Sequence, residues 1–285
     1  MQVHGESLVC FQTGTIVKVH IHTKKPYEVI EFAQRFGEFV TFKMENMALQ
    51  HNSLIKEEEK KARERKKIAF VCVAQGDGII DLFKDLGCDV VLNGGQTMNT
   101  SVAELIDAFK YANAEEIILL PNESNMIKAC EQAAELFKDA KVHVIPTKTL
   151  QEGYFVLLNK AGMDEDESLY ENLLECRHAV SSLIVFKSAK EAKIGEEVAP
   201  KGSYVASIKH DLKTYDNDLV VATEKLLDTI EDVDDHEVMF VIYGQMVDEK
   251  KINEVVSMIN KKHPGIEVGV INGKQDVYDL LIGLI

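Results

Sequence analysis

Apolar positions along the chain repeat with two periods, and these periods predict an alternation of strands and helices. From Lys67 onward, short apolar runs predict strands, and helical patterns follow them. The first four strands are predicted at 67–73, 89–93, 116–120 and 141–145, with helices at 79–86, 102–111 and 126–137 between them. Strands that alternate with helices in this way form a parallel sheet with right-handed crossovers. The predicted fold class of this part is α/β.

Beyond Leu150 the order of elements changes, and the pattern predicts a mixed α/β region whose strand order stays open. Helices are predicted at 150–159, 168–179, 219–230 and 249–261, and strands at 182–187, 238–243 and 266–271. We therefore predict a domain at 67–285 with two lobes, at about 67–160 and 161–285, of which the first contains the parallel sheet.

The first fifty residues predict a smaller α/β segment. A strand is predicted at 15–23, a helix at 26–36 and a second strand at 38–44. The first strand alternates, and Val17, Val19 and Ile21 lie on the face predicted to be buried. No element is evident before this strand, so we expect residues 1–50 to be part of a larger domain.

Residues 51–66 are almost all charged or polar, and they separate the two parts. Glu57 precedes Lys61 by four residues and Glu59 precedes Arg63 by four, which supports a solvated helix. We predict a helical linker here rather than a nucleic-acid patch, because acidic residues are interspersed and no aromatic residues occur.

Composition and charge exclude several classes of function. The net charge of −15 opposes binding to nucleic acid or to an anionic membrane surface. No run reaches the roughly 18 apolar residues of a membrane span, and the first residues lack the pattern of a signal peptide. The five cysteines are irregularly spaced, and Cys72 and Cys130 lie in apolar segments, which favours reduced thiols. We expect a soluble, cytoplasmic protein.

Polar loops follow each of the first four predicted strands. Ligands of open parallel sheets bind outside the carboxyl ends of the strands, so these loops predict a binding cleft. The candidate ligand-binding residues are Gly94, Gly95, Gln96, Thr97, Asn99, Ser101, Asn122, Asn125, Thr147 and Lys148. Their glycines, hydroxyls and amides suit a phosphate or a carboxylate at a helix start. The alternative is that these residues only cap helices, where Asn, Ser and Thr are preferred.

Two histidines are the candidate metal ligands. His20 and His22 are two residues apart in a predicted strand and therefore share one face, which suits a zinc ion. A zinc site needs three or four protein ligands, and the spacing does not require Cys10 as the third. A pair that faces solvent is the alternative interpretation.

The chain contains no complete catalytic motif. The patterns G-x-S-x-G, H-E-x-x-H, C-x-x-C and G-x-x-x-x-G-K-[ST] do not occur, and no acidic cluster suited to magnesium is evident. Gly76-Asp77-Gly78 matches neither a dinucleotide fingerprint nor a P-loop. His143 lies within a predicted strand and is expected to be packed. We therefore assign no catalytic residue.

Five segments together resemble a known family. They are VKVHIHTKKP (17–26), GGQTMNTS (94–101), LPNESNM (120–126), IPTKTLQEG (145–153) and VIYGQ (241–245). This combination resembles the middle and carboxy-terminal parts of the bacterial fatty acid kinase subunit, which is related to dihydroxyacetone kinase. The resemblance implies that the domain at 67–285 is similar to dihydroxyacetone kinase and to DegV-type fatty-acid-binding proteins.

The resemblance also implies cofactors and partners. In that family an amino-terminal domain, which this chain lacks, binds ATP with magnesium. The kinase phosphorylates a fatty acid that a separate DegV-like protein presents, so a DegV-like fatty-acid-binding protein is the expected partner, and a homodimer is an open possibility. The family's zinc ligands correspond to His20 and His22 plus a cysteine that would precede Met1, with which Cys10 does not align.

Three hypotheses follow for the function. The first is a non-catalytic docking or scaffolding portion of a fatty-acid-kinase-like protein, either a fragment or a shortened relative. The second is a stand-alone DegV-like module that binds a fatty acid or a small anion. The third is a kinase of the dihydroxyacetone type, for which we find neither a nucleotide loop nor a substrate histidine.

Overall fold

The structure, a computed structural model, describes residues 6–13, 16–23, 25–40, 65–94, 100–160, 162–163 and 168–285. Its contacts divide the chain into two compact units, Met1–Ala62 and Arg63–Ile285. The predicted helical linker falls almost wholly on residues outside the described ones. The domain limits given above therefore stay predictions.

In the first unit, the described residues form an antiparallel ribbon and a helix. The elements are β1 (Glu6–Thr13), β2 (Ile16–His22) and α1 (Pro26–Gln34). Pro26 lies in the first turn of α1, where its missing N–H has no helical partner to lose. The strand β2 and the helix α1 lie where the sequence predicts them, whereas β1 is an element that the sequence pattern did not predict.

Two predictions for this unit are corrected by the structure. Val17 and Val19, predicted to be buried, are 55% and 39% exposed. The described part of the unit provides a two-stranded ribbon and a short helix, and a two-stranded ribbon has no second layer to cover a face. The predicted second strand has no strand structure over 38–40, and 41–44 lie outside the described residues.

Four parallel strands form the first sheet of the second unit, in the order β4–β3–β5–β6. The strands are β3 (Lys66–Ala74), β4 (Val90–Asn93), β5 (Ala114–Leu120) and β6 (Lys141–Val144). The helices are α2 (Asp77–Asp85), α3 (Val102–Ala112), α4 (Ile127–Leu136), α5 (Leu150–Lys160) and α6 (Leu169–Cys176). Phe70 and Cys72 pack on one face of β3, and Val71 and Val73 pack on the other. Because both faces are buried, the strand is continuously apolar, and the predicted α/β fold with its parallel sheet is confirmed.

A second, mixed sheet has the strand order β11–β10–β7–β14–β12–β13. Its strands are β7 (Ser181–Lys187), β10 (Tyr204–Ile208), β11 (Asp211–Asp216), β12 (Val238–Tyr243), β13 (Glu267–Asn272) and β14 (Leu280–Leu284). The pair β12–β13 is parallel and the other neighbouring pairs are antiparallel. Two helices, α7 (Leu219–Leu227) and α8 (Glu249–Lys262), pack against its core, and a separate hairpin is formed by β8 (Ala192–Ile194) and β9 (Glu197–Ala199).

One hydrophobic core joins the two sheets. The helices α5 and α6 contribute Phe155, Val156, Leu157, Leu169 and Leu173 to a cluster that also contains residues of β3, β5, β7, β12 and β14. The Tyr154 ring of α5 meets the Phe240 ring of β12 edge-on, with 4.7 Å between the centroids. Helix α5 is therefore buried between the two lobes. Among the helices that the structure describes, none has the length and apolar character needed to cross a bilayer.

Candidate functional site

The crevice expected for this topology lies between β3 and β5. These strands are neighbours in the sheet, although β4 lies between them in sequence, so the order of strands reverses here. The loops that follow their carboxyl ends are residues 75–76 after β3 and residues 121–126 after β5. The loop after β6 and the start of α5 lie at the same edge, because Asn122 bonds directly to Thr147.

The loop after β4 holds more than half of the predicted ligand residues. Gly94 is buried and donates its N–H to the carbonyl oxygen of Ala74 at 3.1 Å. Ser101 caps α3, because its Oγ accepts the N–H of Glu104 at 3.2 Å and the Glu104 carboxylate accepts the N–H of Ser101. Gly95, Gln96, Thr97 and Asn99 lie outside the described residues. The ligand-binding role of all six residues stays a prediction.

Asn122 and Thr147 are bonded to each other. The Asn122 N–H donates to Thr147 Oγ1 at 2.9 Å, and the Thr147 hydroxyl donates to Asn122 Oδ1 at 2.9 Å. Asn122 Nδ2 also donates to the carbonyl oxygen of Val73 at 2.9 Å. Both side chains are fully buried, and the backbone of Asn122 has a left-handed φ of 58°. These groups connect the ends of β3, β5 and β6, so the contacts observed for them are structural.

Helix α5 approaches this pair closely because it has a glycine there. A Cβ at Gly153 would lie 1.9 Å from Asn122 Oδ1, well inside contact distance. At the start of α5, Thr149 Oγ1 accepts the N–H of Glu152 at 3.2 Å. The Glu152 carboxylate accepts the N–H of Lys148 at 2.6 Å, while the Lys148 side chain is exposed. The segment 146–148 thus fixes the start of a buried helix.

The glycines after β3 form a contact between the lobes. A Cβ at Gly76 would lie 2.5 Å from the carbonyl oxygen of Gly273, and a Cβ at Gly78 would lie 1.9 Å from that of Asn272. The N–H of Ile79 donates to the Gly273 carbonyl at 3.2 Å. We call this contact, between residues 75–79 and 272–275, the clasp. It accounts for the Gly-Asp-Gly sequence without a bound phosphate, because two backbones approach here.

Two small cavities lie beside the clasp, and each has a volume of about 10 Å³. Glu123, Leu150 and Tyr278 line both of them. The first is also lined by Val73, Ala74, Gln75, Gly94, Gln275 and Val277, and the second by Lys148, Thr149, Gln151, Ile184, His210 and Leu281. A volume of this size holds about one water molecule, whereas drug-sized ligands occupy about 300–1,000 Å³.

Glu123 is the most perturbed acid of the cleft. Burial raises the pKa of its carboxyl group to about 7, and no described residue gives that group a hydrogen bond or an ion pair. Burial, with the nearby Glu123 charge as a smaller cause, also raises the pKa of Tyr278. Neighbouring Ser124 is exposed, and its Oγ lies 3.2 Å from His210 Nε2. Asn125, a predicted ligand residue, is exposed at the same rim.

The two candidate zinc ligands lie on β2, in the other unit. His20 pairs with Val9 and His22 with Glu6, whereas Cys10 pairs with Val19, so the register places Cys10 opposite neither histidine. Among the residues that the structure describes, no group of three or more metal-ligating side chains occurs. Two histidines are fewer ligands than a zinc site needs, so the described residues alone do not fit the ion.

Two family models match the chain, and both describe FakA-like proteins of fatty acid kinase. The model of their C-terminal domain matches residues 69–284, and the model of their middle domain matches residues 1–54. The chain belongs to the FakA-like family of fatty acid kinase. The family resemblance predicted from the sequence segments is thereby confirmed.

Relatives of this FakA-like chain are longer. Protein YloV of Bacillus subtilis is 35% identical over 284 residues, which are 98% of this chain and 51% of the relative. The uncharacterized protein SAR1202 of Staphylococcus aureus is 31% identical over 284 residues, with the same coverage of both chains. The chain thus spans about half the length of the curated relatives it matches.

Solved structures of DegV-family proteins share the fold of the FakA-like chain. The DegV family protein Cg2579 from Corynebacterium glutamicum has a TM-score of 0.57 and 12% identity, and the similarity covers 77% of this chain and 98% of that one. A DegV family protein from Thermus thermophilus, described by its fatty acid binding, has a TM-score of 0.54 and 12% identity, with 77% and 100% covered. At this identity the likeness shows the DegV fold and nothing further.

Several polar residues that line the cleft of this FakA-like chain were not predicted from the sequence. Glu123, Gln151, Gln275 and Tyr278 line the cavities, and none of them is among the predicted ligand residues. Glu123 lies within the LPNESNM segment and so had a local signal. Gln275 and Tyr278 come from the loop between β13 and β14, and β14 itself was not predicted. No local pattern could place them beside β3.

Proposed function

We propose that this chain is a non-catalytic docking portion of a fatty-acid-kinase-type protein, and that its partner is a DegV-like fatty-acid-binding protein. In this proposal the phosphoryl transfer is carried out by the longer protein, and the acyl chain is held by the partner. The family membership of the chain and its DegV fold support the assignment.

The closed cleft is the observation that carries the proposal. In a DegV-type fold the edge of the parallel sheet is the expected place for a ligand. Here the clasp and helix α5 fill that edge and leave two cavities of about 10 Å³ among the described residues. A fatty acid has more than ten heavy atoms and does not fit such volumes. The fold is therefore better suited to recognise a related protein than to hold the lipid.

Charge supports a protein partner of opposite sign. The chain has a formal net charge of −15 at pH 7, so long-range attraction favours a partner face rich in Lys and Arg. Around the closed cleft, Asp77, Ser124, Lys148, His210 and Asp276 are exposed. We take this rim as the docking face, because several loops converge there and none of these five side chains is needed to close the cavities.

The test is binding of the full chain to the DegV-like fatty-acid-binding protein of the same organism. Sedimentation velocity is expected to show a complex that weakens as salt increases, with no ATP turnover by the chain alone. Ser124→Arg on the rim is expected to weaken the complex, and Gln132→Arg, an exposed position on α4, serves as the matched control.

Two results would contradict the proposal. The first is the absence of any complex with each DegV-like protein of the organism. The second is a fatty acid that co-purifies with the chain and is displaced by Leu150→Trp, which would favour a stand-alone lipid-binding module. Loss of binding in both arginine variants alike would refute the choice of docking face.

A further inference from the structure

Two buried glutamines at the cleft each have an oxygen without a hydrogen-bond partner. Gln275 and Gln151 are 3% and 0% exposed. Their amide nitrogens are used, since Gln275 Nε2 donates to the carbonyl of Ile242 at 3.3 Å and Gln151 Nε2 donates to that of Leu183 at 2.9 Å. The Oε1 atom of each has no partner among the described residues. Buried acceptors of this kind are normally satisfied by protein or by ordered water.

Each of these glutamines lines one of the two cavities. Gln275 lines the first cavity together with Gln75 and Glu123, and Gln151 lines the second together with Glu123. An internal water requires room for one molecule and two to four polar partners. Both cavities meet the first condition with about 10 Å³, and the glutamine oxygen with the unpaired Glu123 carboxyl group meets the second.

Other occupants fit these cavities less well. Purely apolar cavities stay dry, but these two contain a carboxyl group and an amide oxygen without partners among the described residues. A divalent cation takes about six or more oxygen ligands, which neither lining provides. An acyl chain would have to pass Leu150 and Tyr278, which line both cavities and leave only water-sized space on each side.

We infer that each cavity binds one ordered water molecule, which donates one hydrogen bond to the glutamine oxygen and another to the carboxyl group of Glu123. The two waters complete the hydrogen bonding of the cleft and connect Glu123 with both lobes, since Gln275 precedes β14 and Gln151 lies on α5. This inference does not depend on the docking function, because the waters would be present in the free chain.

A crystal structure of the full chain at a resolution that shows ordered water tests the inference. We expect one density peak at about 2.7–3.2 Å from each Oε1 atom. Gln275→Leu is expected to remove the first peak alone and Gln151→Leu the second alone. Gln132→Leu, at an exposed position on α4, is the matched control and should keep both. Empty cavities in the wild-type map, or continuous density that runs through both, would overturn the inference.

A measurement in solution keeps the test independent of crystals. Oxygen-17 relaxation dispersion counts long-lived internal waters, and each leucine variant should lose the signal of one water relative to Gln132→Leu. If a leucine variant does not fold, Gln275→Asn or Gln151→Asn withdraws the oxygen by one methylene and is expected to weaken the same signal. An unchanged signal in folded variants would show that the cavities are dry.

Discussion

Replacing Glu123 by glutamine should make the chain more stable at alkaline pH. The buried carboxyl group has its pKa raised from the ordinary value of 4.5 to about 7, so the folded state holds this proton more tightly than the unfolded state. Its contribution to stability is complete below pH 4.5 and is lost as the pH rises towards 7. Glutamine keeps the shape and has no charge to bury.

The magnitude follows from the two pKa values. At about 1.4 kcal/mol per pH unit, the interval from 4.5 to 7 sets a ceiling of roughly 3 kcal/mol. Because Glu123 is only partly buried, we expect solvent to reduce the gain to about 2 kcal/mol above neutral pH. Near pH 4.5 the two proteins should differ by less than about 0.5 kcal/mol.

Urea unfolding, followed by circular dichroism at about pH 5 and about pH 8.5, measures this difference. Glu135→Gln, an exposed glutamate of α4, is the matched control and should behave as the wild type does at both pH values. The other titrating groups cancel when variant and wild type are compared at one pH. Equal free energies of unfolding for Glu123→Gln and the wild type at alkaline pH would refute the reasoning.

Three further substitutions test the structural roles of cleft residues by urea unfolding at one pH. Gly78→Ala places a Cβ 1.9 Å from the carbonyl oxygen of Asn272 and should cost about 2–3 kcal/mol, whereas Gly265→Ala, with open space around it, should cost under about 1; equal midpoints would disprove the clasp. Asn122→Ala removes hydrogen bonds between strand ends and should cost about 2–4 kcal/mol; a loss below about 1 would show that these bonds are dispensable. Ser101→Ala removes the cap of α3 and should cost about 1 kcal/mol, with Ser101→Asp close to the wild type; equal losses for both would contradict the capping role.

The parallel sheet was predictable because each of its strands has a strong local signal. The run from Lys67 to Val73 is apolar on both faces, and helical patterns separate the strands, so period and spacing were sufficient. The β10–β11 hairpin lacked such a signal. Its turn residue Lys209 adopts a left-handed φ of 54°, where glycine or asparagine is expected, so no turn was recognised.

The polar loops could be predicted to meet, but the use of their groups could not. A glycine in a sequence indicates that some atom approaches closely, and it does not say whether that atom belongs to a ligand or to the protein. For Gly78 the neighbour is the carbonyl oxygen of Asn272, which lies far later in the chain. Such a contact depends on tertiary structure, and no local pattern contains it.

The position of β14 has a consequence for how the second sheet forms during synthesis. This strand pairs with β7 on one side and with β12 on the other, yet it follows all other strands of the sheet in sequence. Until residues 280–284 have left the ribosome, the strands from β7 to β11 and the pair β12–β13 are two separate halves with apolar inner edges. The nascent lobe therefore exposes two unpaired strand edges that invite wrong pairing, and protection by a chaperone would matter most in this interval.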